Sequence, residues 1–169
     1  MIRDPDAFQT LLDATRSFVR DVAIPNEDRV EAEDQVPEHV VQAMRDLGSF
    51  GWSIPEEFGG SGLTSEELAL AFLELPQCSV AYRVIGAQNA GIGSECIIRD
   101  GTDEQKRSYL PRLASGELIG CLALTEPEAG SDATALKTRA EKQADGSYKL
   151  NGHKHYITLA PIADVFAVF

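Results

Sequence analysis

Thr125, Ser131 and Asp132 gather two hydroxyls and a carboxylate into one short stretch, residues 125–132, that also holds Pro127 and Gly130. The stretch leaves an apolar run at residues 119–124 and turns at Pro127 and Gly130, so several of its backbone N–H groups lack ladder partners. Gly130 permits positive φ and close approach, and the loop can then act as an anion-accepting nest or as a row of donors to a heterocycle. Taken alone, the same composition more often makes a plain solvent loop. Further on, Tyr156 and Thr158 lie two apart; on a strand they would share one face while Ile157 packs into the sheet. His153 and His155 flank Lys154 with a two-point metal spacing, but no third ligand is evident and Asp164 is distant, so they read as surface or packed histidines rather than a metal site. The glycine-rich loop at residues 58–62 lacks a Lys-Ser/Thr ending and does not join a strand to a helix, which sets aside a phosphate-binding loop.

Such groups need elements to hold them. Phe8, Leu11, Leu12, Phe18 and Val19 recur at helical spacing, as do Val36, Val40, Met44 and Leu47 ahead of a stop at Gly48. Thr64 with Glu67 and Thr102 with Gln105 are capping-box pairs, each followed by an apolar stripe, and predict two more helices. Residues 80–98 form a long apolar segment with Gly86, Gly91 and Gly93, which predicts one buried central helix with close backbone approach. After Gly116 the period shortens, and strands are expected. Asp145-Gly146 and Asn151-Gly152 are two-residue turn signals that predict an antiparallel meander running into a strand over residues 153–159, with another strand over residues 165–169. The fold class is therefore α+β: an all-α helical bundle over residues 1–117, then the first strands of an antiparallel β domain over residues 118–169. A sequence that stops inside a strand pattern implies an incomplete sheet and a boundary within a longer protein.

Composition narrows the function classes. The 169 residues carry 27 acids against 15 Lys and Arg, a net charge of −12, and residues 1–117 hold 21 of the acids and 10 of the bases. Without a basic cluster, counterion release from a nucleic-acid backbone has no source, so nucleic-acid binding is disfavoured. The acid run over residues 27–38 reads as a solvated face. No apolar stretch approaches the ~20 residues of a membrane span, and Met1 is followed by charges rather than a signal-peptide core. Cys78, Cys96 and Cys121 are far apart and odd in number; they read as small buried hydrophobes in a reducing, cytoplasmic setting.

The run LTEPEAGSDA over residues 124–133, followed by HYIT over residues 155–158, resembles the flavin-binding signature of the acyl-CoA dehydrogenase family. IPEEFGGSGL over residues 54–63 and GTDEQKRSYLPRLASGE over residues 101–117 fit the same family, so the resemblance covers the whole chain. It implies a helical N-terminal domain, a middle β domain and a C-terminal four-helix bundle, with FAD held between them. The first would be complete here, the second begun, and the third absent. Leu159-Ala160-Pro161 replaces the commoner continuation and is similar to bacterial long-chain relatives in that short stretch.

By the same resemblance, Leu122, Leu124, Thr125 and Ser131 lie along the flavin. Leu124 and Thr125 would offer donors to its pyrimidine edge, and Ser131 would lie by phosphate or by the acyl-CoA substrate. Tyr156, standing where the family usually has Trp, would cover part of the ring with Ile157 beside it, and Thr158 would place its hydroxyl near the hydride-accepting N5. The resemblance implies α,β-dehydrogenation of an acyl-CoA thioester to a trans-2-enoyl-CoA, as in fatty-acid β-oxidation. It also implies electron delivery to an electron-transfer flavoprotein and a homodimer or homotetramer. No catalytic residue is assigned within the chain, because the family's Glu base would lie beyond Phe169. An acyl-CoA oxidase, or a catalytically silent flavoprotein or helical interaction module, would share most of these motifs.

Overall fold

The computed structural model describes residues 1–169, in which seven α-helices precede four short strands. Helix α1 (Pro5–Phe18) is capped by the Asp4 carboxylate, which accepts the Asp6 and Ala7 N–H groups. Its buried Phe8, Thr15 and Phe18 are spaced to face the core. A π-turn (Val19–Ala23) carries the chain on, and the Ala23 carbonyl accepts the Tyr82 hydroxyl at 3.0 Å. Helices α2 (Glu27–Glu33) and α3 (Glu38–Asp46) follow; α3 stops where Gly48 takes φ 73°. Both expected capping boxes are present, Thr64 with Glu67 opening α4 (Ser65–Phe72) and Thr102 with Gln105 opening α7 (Asp103–Ala114).

Residues 80–98 do not form one helix. They divide at Gly91 into α5 (Val80–Ala90) and α6 (Ile92–Asp100). The break turns α6 so that it lies against the first strand, β1 (Gly120–Ala123), with backbone on backbone. A Cβ on Gly93 would sit 2.6 Å from the Gly120 carbonyl oxygen, and one on Gly120 would sit 2.8 Å from the Gly93 oxygen. The main core packs Phe8, Phe18, Val40, Met44, Phe50, Trp52 and Tyr82, and a smaller cluster joins Ile54 to Leu110, Leu113 and Ala114. Cys78 and Cys121 are buried free thiols, and burial pushes both thiols up, Cys78 to about 11.

Strands β2 (Arg139–Lys142) and β3 (Tyr148–Asn151) make the expected antiparallel hairpin, turning through Gly146 at φ 85°. The antiparallel meander goes no further. β1 pairs in parallel with β4 (Val165–Val168), Gly120 opposite Val165, so the sheet begins with a crossover. Residues 153–159 are not a strand: Tyr156 and Leu159 take φ of 55° and 65°, and the Ala160 and Ile162 N–H groups bond back to Ile157 and Leu159. These bonds close local turns, and Pro161 has no N–H to offer a ladder. The Asn151-Gly152 pair likewise makes no hairpin. Gly152 is needed for close approach instead, since a Cβ there would lie 2.1 Å from the Thr138 hydroxyl oxygen. Tyr148, Leu150 and Phe166 are exposed along the strands, as is Phe169 just after β4, and no helix is long and apolar enough to cross a membrane.

Candidate functional site

The helical domain sets the start of β1 through one polar side chain. Asn89 is fully buried; its Nδ2 donates to the Leu113 carbonyl at 2.6 Å and its Oδ1 accepts the Gly120 N–H at 2.7 Å. Asp164, which nothing in the sequence marked out, accepts the Ile119 N–H at 2.9 Å and places β4 beside β1. The N–H groups of Val165 and Phe169 bond to Ile119 and Ala123, which leaves Leu122 and Leu124 on the other edge of β1.

Beyond β1 the chain folds into a tight two-way bridge, with the Glu126 N–H donating to Ala129 at 2.9 Å and the Ala129 N–H donating back at 3.2 Å. Inside this turn the Glu126 carboxylate, only 7% exposed, accepts the N–H of Lys137 at 2.7 Å and that of Thr138 at 2.8 Å. It also accepts the Thr138 hydroxyl at 2.5 Å and the Lys154 ammonium at 2.9 Å. Lys154 reaches further and donates to the Leu124 carbonyl at 2.8 Å, while the His155 N–H donates to the Thr125 carbonyl at 2.8 Å. The two motif segments are thus bound to each other through Lys154 and His155.

Electrostatics follow from this packing. The Thr138 hydroxyl, the Lys137 N–H and the Lys154 ammonium hold the Glu126 carboxyl down at about 2 against the opposing effect of burial. The neighbouring acids are also committed. Lys137 lowers Glu128, and the Thr134 hydroxyl and N–H lower Asp132, which caps the turn Ala133–Ala135. Three carboxylates therefore line this loop and all stay ionised and engaged.

The residues expected to meet a ligand fall into two groups. Leu122, Leu124, Thr125 and Ile157 are half-buried, whereas Ser131, Tyr156 and Thr158 are exposed, Tyr156 at 87%. The shared strand face expected for Tyr156 and Thr158 does not exist, because the positive φ at Tyr156 breaks the alternation; the two residues are carried by a turn. Ser131 lies after Gly130 and bonds to neither segment. Within the chain only the carbonyl of Thr125 is engaged, so its N–H and hydroxyl are free. The His153 and His155 rings pack edge to face with centroids 5.5 Å apart, and no cluster of three ligating side chains surrounds them. Glu126, Thr138 and Lys154 were missed at the sequence level. Glu126 lies inside the first motif and Lys154 directly precedes the second, whereas Thr138 belongs to neither.

A helical domain that hands one strand to a pinned, donor-rich loop at the start of a β domain defines the class of molecule. Residues 5–117 match the acyl-CoA dehydrogenase N-terminal domain and residues 121–169 match the acyl-CoA dehydrogenase middle domain. The chain belongs to the acyl-CoA dehydrogenase family. An acyl-CoA dehydrogenase of Bacillus subtilis (strain 168) is 38% identical over 154 residues, 91% of this chain and 40% of that protein. Mitochondrial isovaleryl-CoA dehydrogenase of Bos taurus is 43% identical over 126 residues, 75% of this chain and 29% of that protein. The crystal structure of an acyl-CoA dehydrogenase complexed with FAD from Bacillus anthracis superposes with a TM-score of 0.88 at 34% identity, covering 98% of this chain and 28% of that one. The chain thus spans less than half the length of these relatives.

Proposed function

We infer that this chain forms the helical domain and the first part of the β domain of an FAD-dependent acyl-CoA dehydrogenase, which desaturates an acyl-CoA thioester to a trans-2-enoyl-CoA. One observation carries the reading: Lys154 and His155 bind the Leu124–Thr125 strand exit to the Tyr156–Thr158 turn, and the Thr125 N–H and hydroxyl are left unpaired beside them. That donor set fits a flavin edge, which needs N–H and O–H groups rather than carboxylates. When bound, FAD would supply the acceptor for the substrate's β-hydrogen as hydride.

The chain's own residues then have separable tasks. Leu124 and Thr125 present donors where negative charge would gather, and pre-placed donors of this kind carry much of the stabilisation in such sites. Tyr156, exposed on its turn, would cover a ring and exclude water, and Thr158 would place a hydroxyl at the hydride acceptor. Ser131 and the N–H groups around it would meet phosphate or substrate oxygens. The α-proton needs a base, and Glu126, Glu128 and Asp132 are poor candidates because each is held ionised by donors and depressed in pKa. This supports a base supplied from outside the loop. Electron transfer to an electron-transfer flavoprotein and assembly as a dimer or tetramer belong to the same reading.

Thr158→Ala in the full-length protein tests it. Stopped-flow flavin reduction by acyl-CoA under anaerobic conditions should slow about tenfold or more, as loss of one such donor does elsewhere, while acyl-CoA affinity changes far less. Equal reduction rates would remove Thr158 from the hydride side.

A further inference from the structure

Lys154 is the one cation that the fold inserts between the two motif segments, and its placement does more than fasten them. Its side chain is 13% exposed, and its ammonium is shared between the Glu126 carboxylate at 2.9 Å and the Leu124 carbonyl at 2.8 Å. The Leu124 carbonyl and the Thr125 N–H belong to one peptide unit, and that N–H has no partner in the chain. A cation on the carbonyl draws electron density along the amide and makes the N–H at its other end a stronger donor, the cooperative effect seen in chained hydrogen bonds. Glu126 opposes the effect because its charge partly neutralises Lys154.

We propose that Lys154 is a positioning and tuning residue for the flavin: through the Leu124–Thr125 peptide it strengthens the Thr125 N–H as a donor to the reduced, more negative cofactor, and Glu126 sets how strongly. This rests on the reading of Thr125 as a flavin donor. The pair has other consequences that a mere fastener would share, such as stability and cofactor retention. Tuning by charge, unlike fastening, shifts the balance between the oxidised and reduced forms of bound flavin in opposite directions when Lys154 and Glu126 lose their charges in turn.

The test is the midpoint potential of flavin bound to the full-length protein, measured by anaerobic spectroelectrochemical titration in wild type, Lys154→Met and Glu126→Gln. Lys154→Met keeps the length of the side chain and removes the charge. It should weaken binding of reduced relative to oxidised flavin by about tenfold, which for a two-electron couple lowers the potential by about 30 mV. Glu126→Gln leaves Lys154 in place without its counter-charge and should shift the potential upward. It also supplies the answer if Lys154→Met does not fold. Unchanged potentials, or shifts of one sign in both variants, overturn the relay, even where melting temperature and flavin content fall. A wild-type protein that holds no flavin overturns the parent reading and the relay with it. Retained flavin with unshifted variants removes the relay alone.

Discussion

Replacing Asn89 with Leu removes the polar joint between the helices and β1 while keeping the branched shape of the side chain in a larger volume. Two buried backbone groups lose their partners, the Leu113 carbonyl at 2.6 Å and the Gly120 N–H at 2.7 Å. Each orphaned buried group costs about 1–3 kcal/mol, so the gross loss is about 2–6 kcal/mol. The apolar side chain recovers about 1–2 kcal/mol by its own burial, and overpacking by its larger volume takes back about as much. A net destabilisation of about 2–6 kcal/mol is expected, a large part of the ~5–15 kcal/mol available to a domain. Urea unfolding followed by the fluorescence of fully buried Trp52 reads it directly. Asn89→Asp separates hydrogen bonding from volume. Its carboxylate can still accept the Gly120 N–H but opposes the Leu113 carbonyl, so the fold raises its pKa, and stability relative to wild type should be present at low pH and lost as pH rises through that value. A change below about 0.5 kcal/mol in Asn89→Leu, or no relative recovery of Asn89→Asp in acid, would refute the role given to this side chain.

Acid should expose the two engaged glutamates. Glu67, held by the Arg3 and Thr64 N–H groups, and Glu126 both have folded-state pKa values of about 2 against an ordinary 4.5. Because these values are depressed, their contribution is present above about 4.5 and drains away as pH falls toward 2; thermal melts across that window should show it, and Glu67→Gln should flatten the decline. Identical acid limbs would rule out this origin. Gly93→Ala should cost about 1–3 kcal/mol through overpacking, since its Cβ would lie 2.6 Å from the Gly120 oxygen and would push α6 off β1. An unchanged urea midpoint would mean that the helix can yield there at no cost.

What the sequence makes legible here is local. The Thr64–Glu67 and Thr102–Gln105 boxes involve side chains three residues apart, and each forms as read. The Gly48 stop and the turn at Gly146 need only one residue able to take positive φ. The parallel pairing of β1 with β4 is secured by Asp164 on Ile119 across 45 residues, and no short window contains that information. The single helix read over residues 80–98 fails at Gly91, because three glycines in an apolar segment can signal either packing or interruption, and the closeness of Gly93 to Gly120 needs the latter. Tyr156 and Leu159 at positive φ are stranger still, since neither residue type announces that conformation. At the candidate site, the motifs mark out two segments but say nothing of Lys154, which sits between two more conspicuous histidines.

The same contacts explain why these loops can wait for a ligand in a defined shape. Fixing a residue's backbone costs about 1–2 kcal/mol, so a loop of several free residues would charge a ligand much of its binding energy for order alone. Here β1 is seated at its start by Asn89 and by the Gly93–Gly120 contact, and its exit is held by Lys154 and His155. The Glu126 turn is closed from within by Lys137 and Thr138. Each of these anchors uses a side chain or backbone group other than the donors of Thr125. The fold thus commits its carboxylates to holding the loop and leaves the Thr125 N–H and hydroxyl without partners in the chain, the division of labour that an electron-accepting heterocycle requires.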